Sequence, residues 1–293
     1  MTTIELYPCA WILKIIFNTK VIYDVQENYQ ANIQHQEIYR GYLKIILTKI
    51  VAVFNKRIDA IVSHYLLSEK CYENELNLEK NQITVLENKY VGTNHPVLKK
   101  NKKDKVIRII FSGSISYYSG LDRVVKYFKK LKCHLPQATL SVIGFAPEKK
   151  VKMHFLNSEN DPSIEWEIKD IPMDHYHLID VVKKADIGII GYVPDKVNKN
   201  RMPSKLFEYA ALQKVILVQR DTYWLTRSKT MSWSIGIDLI NYSICPTLPN
   251  SILDMLQHPP HPNYMSANWE GECNHLQKTV GGIINGIDLF TLK

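Results

Sequence analysis

Long apolar runs are missing from this sequence. Its two most apolar stretches, 10–17 and 45–54, are broken by Lys14 and Lys49 and fall well short of the ~20 residues that cross a bilayer. They predict core-packing helices. The alternative for the second, which has Lys44, Lys56 and Arg57 nearby, is a place on a membrane surface. A basic leader is missing from Met1-Thr2-Thr3-Ile4-Glu5, so no secretory signal is expected. Cysteine is sparse. Cys9, Cys71, Cys133, Cys245 and Cys273 are odd in number, far apart and without metal-ligand spacing, which argues for free thiols in a reducing cytoplasm. His175 and His177 alternate in a short polar stretch with no third ligand beside them, so they read as loop histidines and no metal is expected. Internal repeats and low-complexity tracts are absent. The net charge is +8, yet no aromatic-and-basic nucleic-acid motif accompanies it. Nucleotide phosphates or an anionic lipid surface are therefore the expected anionic partners, and nucleic acid is not.

What is present is a globular composition, with 45% apolar and 23% charged residues over 293 positions, enough for one large domain or two modest ones. Short apolar runs alternate with helical patterns. A helix is expected over 4–17, a strand over 20–24, a helix from about 37 to 54, a strand over 59–63, a helix over 66–76 and a strand over 83–86. The charged run 98–105 reads as a linker. Beyond it the alternation restarts, with strands at 106–111, 138–143, 164–168, 186–190 and 215–218. Helices are expected at 120–131, 151–156, 175–184 and after Pro203, with two more at 251–257 and 269–284. Strands alternating with helices imply parallel pairing in layered α/β sheets.

One segment carries the chemistry. Arg201-Met202-Pro203-Ser204-Lys205-Leu206-Phe207-Glu208-Tyr209-Ala210-Ala211 lies between two buried strands. Pro203 stands where a helix would start, Ser204 and Lys205 fill its first turn, and Leu206, Phe207, Ala210 and Ala211 make its buried side. Free N–H groups and the positive end of the helix dipole suit a phosphate, and Lys205 adds a full charge. Glu208, one turn on, is in reach of a sugar hydroxyl. A second element, Ser112-Gly113-Ser114, follows the strand at 106–111 and lets backbone approach a ligand closely.

The block Pro203-Ser204-Lys205-Leu206-Phe207-Glu208-Tyr209 resembles the donor-binding signature of retaining glycosyltransferases of the two-Rossmann (GT-B) type, group 1 or family 4. Val21-Ile22-Tyr23-Asp24-Val25-Gln26-Glu27-Asn28-Tyr29 and Ser141-Val142-Ile143-Gly144-Phe145 resemble further elements of that family. The resemblance implies an α/β fold of two Rossmann-like doubly wound domains. These are an incomplete acceptor-side domain over 1–97, the linker, and a nucleotide-sugar domain over 106–293 with a closing helix. It implies transfer of a sugar from a nucleotide-diphospho-sugar to a glycan or lipid-linked acceptor in surface polysaccharide assembly, on the cytoplasmic face of a membrane and without a metal. Gly113, Ser114, Gly144, Arg201, Ser204, Lys205 and Glu208 would bind the donor, and Asp24, Gln26 and Glu27 would line the acceptor side. Tyr192 is a further candidate for the donor pocket.

The chain also departs from the family's pattern. Ser114 and Ser119 stand where many relatives carry basic residues, Gln26 replaces a histidine, and Asn200 occupies the place of an acid. No side chain can be named as the catalytic acid or base. The opening βα units of the acceptor domain do not match anything here, which would leave an unprotected edge strand. A start site downstream of the full frame, a protein partner that completes the domain, or a remnant without catalysis would each account for this. The rival reading is therefore a non-catalytic or partner-dependent subunit.

Overall fold

The computed structural model describes residues 1–35, 41–76, 78, 82–92, 106–158, 160–258 and 261–285. The charged linker expected at 98–105 lies outside them. By internal contacts the chain divides into two compact units, Met1–Asn88 with Trp269–Lys293, and Lys89–Asn268. No helix among the described residues is long and apolar enough to cross a membrane.

In the first unit a 3-10 turn (Ile4–Leu6) leads into helix α1 (Tyr7–Phe17). Then come β1 (Ile22–Val25), α2 (Tyr29–His35), α3 (Gly41–Asp59), β2 (His64–Leu67), α4 (Tyr72–Glu75) and β3 (Ile83–Val85). The three strands form a parallel sheet in the order β1-β2-β3, with Tyr23 opposite Tyr65 and Leu66 opposite Thr84. The outer edge of β1 is partly covered, contrary to expectation. The Met1 ammonium donates to the Ile22 carbonyl at 2.9 Å, and the Asp24 N–H donates to the Met1 carbonyl at 2.9 Å.

Two further expectations fail here for a shared reason. The apolar run at 59–63 is the end of α3 and the turn after it, not a strand. Leu47, Val51, Phe54 and Ile58 continue one helical stripe, and Ile61 and Val62 both donate to the Ile58 carbonyl at 3.0 Å. The strand falls five residues later, at β2. Leu66 and Leu67, read as helical from their apolar spacing, belong to it, so the helix expected over 66–76 shrinks to the single turn of α4.

The second unit is a doubly wound sheet. Its elements are β4 (Ile107–Ser114), α5 (Leu121–Lys132), β5 (Ala138–Phe145), α6 (Lys149–Ser158), β6 (Ile164–Lys169), α7 (His175–Lys184) and β7 (Ile187–Ile189). They continue with α8 (Ser204–Ala211), β8 (Val215–Gln219), α9 (Tyr223–Ser228), β9 (Ser234–Ile237) and α10 (Leu248–Met255). All strand pairs are parallel, in the order β6-β5-β4-β7-β8-β9. Successive side chains supply opposite cores. Ile109, Val215 and Leu217 face α5, α6 and α10, while Ile110, Ile216 and Val218 face α7, α8 and α9. Sequence reasoning missed β9 and α9. The run Ser234-Ile235-Gly236-Ile237 is short and holds a glycine, so it carries little strand signal.

The last helix, α11 (Glu270–Asn285), groups with the first unit, not with the second as the sequence suggested. A buried polar relay ties it there. His64 Nε2 lies 2.8 Å from Thr84 Oγ1, which lies 3.2 Å from Thr279 Oγ1, joining β2, β3 and α11. Burial, and then the neighbouring His275 charge, lowers the His64 pKa. The neutral ring is favoured in the fold, so this contribution is complete above the ordinary value of 6.5 and is lost as the pH falls below it. Urea titrations of the native chain are expected to show a falling midpoint between pH 7 and pH 5. His64→Gln should flatten that slope, and an unchanged slope in the variant would contradict the assignment.

Candidate functional site

Strand order reverses between β4 and β7. The chain winds outward through β5 and β6, returns, and winds the other way through β8 and β9. Crevices at such a reversal, beyond the carboxyl ends of the strands, are where open α/β sheets bind ligands. A cavity of about 310 Å³ lies at this point. It is formed by the ends of β4, β5 and β7 and the first turns of α7 and α8.

Backbone makes much of the wall. Gly113 and Gly144 sit opposite each other in the parallel register. Gly113 has φ 123°, a region closed to other residues at low cost. A side chain on Gly144 would run into the Gly113 carbonyl. Two strands therefore end close together with nothing projecting between them. Lys205 reaches over this floor, and a Cβ placed on Gly113 would lie 3.2 Å from Lys205 Cε.

Helix α8 delivers Lys205. Pro203 occupies its N-cap with φ −58° and ψ 122°, one place before the helical position expected for it, and contributes no side-chain cap. The Leu206 N–H donates to the Pro203 carbonyl at 2.9 Å, so the N–H groups that the helix start turns to a ligand are those of Ser204 and Lys205, both of which line the cavity. Packing holds the helix in place. Leu206 and Phe207 are buried, and Tyr209 is fully so. The Tyr209 ring covers Gly188 of β7. Its hydroxyl accepts from the Ser112 N–H at 3.1 Å and lies 2.9 Å from Ser112 Oγ. Burial pushes its phenol well above the ordinary pKa, so it stays neutral. The loop before α8 is held as well, because the buried Trp224 donates its indole N–H to the Arg201 carbonyl at 2.6 Å.

The electrostatics are concentrated in one pair. Lys205 Nζ donates to both oxygens of Glu208, at 2.9 and 2.7 Å, one helical turn apart. With the Glu208 side chain only 10% exposed, this charge-assisted pair is shielded from water and holds the ammonium beside the cavity.

Of the donor residues expected from sequence, Gly113, Ser114, Gly144, Ser204 and Lys205 come together around this cavity, and Tyr192 joins them. Glu208 does not line it and is joined through Lys205. Arg201 does not line it either. Asp24, Gln26 and Glu27 lie at the end of β1 in the first unit, where Asp24 accepts from Gln26 Nε2 at 2.6 Å and Glu27 from Asn32 Nδ2 at 2.9 Å. Sequence reasoning missed Pro172, Met173, His175 and Leu178, which form another wall. A signal was available. The strand at 164–168 followed by Asp174 and a helix places that helix start at the same rim, and Asp174 indeed caps α7 by accepting from the His177 N–H at 3.0 Å. His175 and His177, read as loop histidines, stand in the first turn of α7. His177 turns to Glu167 at 2.9 Å.

No protein-family model matches the chain, and no curated protein sequence does. Solved structures do match it. A glycosyltransferase from Rickettsia africae superposes with a TM-score of 0.56 at 12% identity, over 92% of this chain and 76% of its own. An α,α-trehalose-phosphate synthase (UDP-forming) from Burkholderia xenovorans, in complex with glucose-6-phosphate, gives 0.58 at 10% identity over 96% of this chain and 73% of its own. HepE of Anabaena, in complex with UDP-glucose, gives 0.55 at 11% identity over 96% and 77%. The chain therefore has the GT-B type of fold, built on Rossmann-like units.

Tyr209→Phe removes the hydroxyl from Ser112 and leaves a buried N–H unpaired, a cost of ~1–3 kcal/mol. Chemical denaturation should show a loss of that size. A loss below ~0.5 kcal/mol would mean that the contact does not hold α8 to β4.

Proposed function

We propose that the cavity binds the diphosphate of a nucleotide-diphospho-sugar and that the protein is a glycosyltransferase. The observation that carries this reading is the convergence of Gly113, Gly144, the uncapped start of α8 and the Lys205 ammonium on one crevice at the strand-order reversal. Bare backbone at two strand ends admits a bulky anion. The helix start supplies N–H donors and a positive dipole, and Lys205 supplies charge. The fold shared with glycosyltransferases of solved structure supports the reading at the level of architecture.

In this reading the ribose hydroxyls engage Glu208, and the ammonium of Lys205 turns from Glu208 toward the phosphates. Transfer breaks the bond between the anomeric carbon and the diphosphate oxygen and makes one to an acceptor hydroxyl oxygen, whose proton passes to the departing diphosphate. The protein's main contribution is stabilisation of the charge that develops on that diphosphate. Glycan or lipid-linked acceptors of surface polysaccharide assembly, with Asp24, Gln26 and Glu27 on the acceptor side, remain the reading that the sequence resemblance supports.

A binding subunit without transfer activity is the second reading. It is favoured by the neutral Ser114 at the phosphate loop and by the engagement of Lys205 with Glu208. Calorimetric titration with UDP and GDP should give saturable binding of one of them. Lys205→Ala should weaken it roughly 10-fold or more, as expected for loss of a charge-assisted hydrogen bond. Glu208→Gln should weaken the nucleotide but not inorganic pyrophosphate, because it releases the ammonium. No binding of either nucleotide at millimolar concentration would overturn the donor site. Binding without donor hydrolysis or transfer would favour the subunit.

A further inference from the structure

A second crevice opens on the other helical layer of the second unit. A cavity of about 310 Å³ lies between α5, α6 and the edge strand β6, and it shares no residue with the cavity at the strand-order reversal. Helix α5 gives it one wall. Asp122, Val125, Lys126 and Lys129 stand at i, i+3, i+4 and i+7, so they share one side of the helix. Strand β6 contributes Trp166, which faces the same way as the core residues Ile164 and Ile168 because strand side chains alternate. Helix α6 contributes His154 and Phe155. The Phe155 and Trp166 rings are near-parallel, 27° apart with centres at 6.2 Å. Val125 and Phe155 are buried, but Trp166 is only half-buried, so part of a large aromatic surface is left open at the cavity. The Trp166 indole N–H is buried and makes no hydrogen bond among the described residues, although such a donor ordinarily finds an acceptor.

The charges stand at the rim. Lys126 and Lys129 are exposed, and the Lys126 ammonium lies 5.9 Å from the centre of the Tyr242 ring. Asp122 is the one acid lining the cavity among the described residues, and His154 Nε2 lies 3.2 Å from its Oδ1. Asp161 is within electrostatic reach of Lys129. Two ammonium groups against one carboxylate leave the lining with a single net positive charge when His154 is neutral, which suits a monoanion better than a phosphate dianion. An apolar, aromatic wall with a few polar groups in a space of about 300 Å³ or more is the form that small-molecule sites take. We propose that the crevice between α5 and α6 binds a small planar aromatic carboxylate, its ring against Trp166 and Phe155 and its carboxylate at Lys126 and Lys129. The ring replaces water on the open aromatic surface, and the carboxylate gains charge-assisted hydrogen bonds.

The test is calorimetric titration of the full chain with 2-naphthoate and with its neutral isostere 2-naphthamide, with and without saturating UDP, and light scattering to give the mass in solution. Expected are saturable binding of the naphthoate, much weaker binding of the amide, and a loss on the order of 10-fold in Lys126→Ala/Lys129→Ala. Trp166→Ala should also bind less. If circular dichroism shows that this variant is unfolded, the lysine variant decides, since both lysines are exposed. Equal binding of acid and amide, no saturable binding of the naphthoate at millimolar concentration, or unchanged affinity in the lysine variant overturns the proposal. Displacement of the naphthoate by UDP overturns it too, because the ring would then sit in the donor cavity. UDP that does not bind at all counts against the donor site alone, and the lysine variant still decides this one. A stable oligomer that Trp166→Ala dissolves would assign the crevice to a second copy of the chain and overturn the proposal.

Discussion

Tyr209 joins three elements that have no sequence proximity. Its ring lies on Gly188 of β7, its hydroxyl meets Ser112 of β4, and its backbone belongs to α8. Those are the two strands between which the sheet reverses and the helix whose start faces the reversal. Because the side chain is wholly buried and its hydrogen bonds are satisfied, the position of α8 relative to β4 is set by a packed, low-dielectric contact and not by a loop. The placement of Lys205 over Gly113 follows from it. A glycine at 188 leaves room for the ring, and a glycine at 144 leaves room for the Gly113 carbonyl, so that two strand ends lie close together at the cavity.

The charge arrangement has a consequence for selectivity. Lys205 and Glu208 satisfy each other across one helical turn. A simple anion that recruits Lys205 must leave a shielded carboxylate behind, which is costly. A ligand that carries both phosphate and a vicinal hydroxyl pair can compensate both partners at once. Under the proposed function the pair would therefore favour nucleotides over free phosphate.

Much of this was legible in the sequence. The period-2 and period-3.6 patterns of the second unit marked most of its elements within a few residues, because parallel strands buried on both faces are short, apolar and bounded by glycine or charge. The block from Pro203 to Tyr209 marked the helix and the lysine that line the cavity. The first unit was harder to read. Its apolar residues serve a turn at 61–62, an outward face on α1 and another on α3, so apolarity there does not report burial. The wall contributed by Pro172, Met173 and His175 was hidden because none has a marked chemistry alone. The ion pair of Lys205 with Glu208 was hidden because an i, i+3 spacing allows a pair without requiring one. The return of α11 to the first unit depends on a long-range contact, Thr84 with Thr279, that local pattern does not encode.

The central claim is that a diphosphate seats on the backbone at Gly113 and on the first turn of α8. A crystal structure of the chain soaked with UDP or GDP tests it most directly. The account predicts phosphate density within hydrogen-bonding distance of the Ser204 and Lys205 N–H groups, with the Lys205 ammonium moved from Glu208 onto a phosphate oxygen. Density in another part of the molecule, or a cavity that stays empty with the Lys205–Glu208 pair intact at saturating nucleotide, would contradict it.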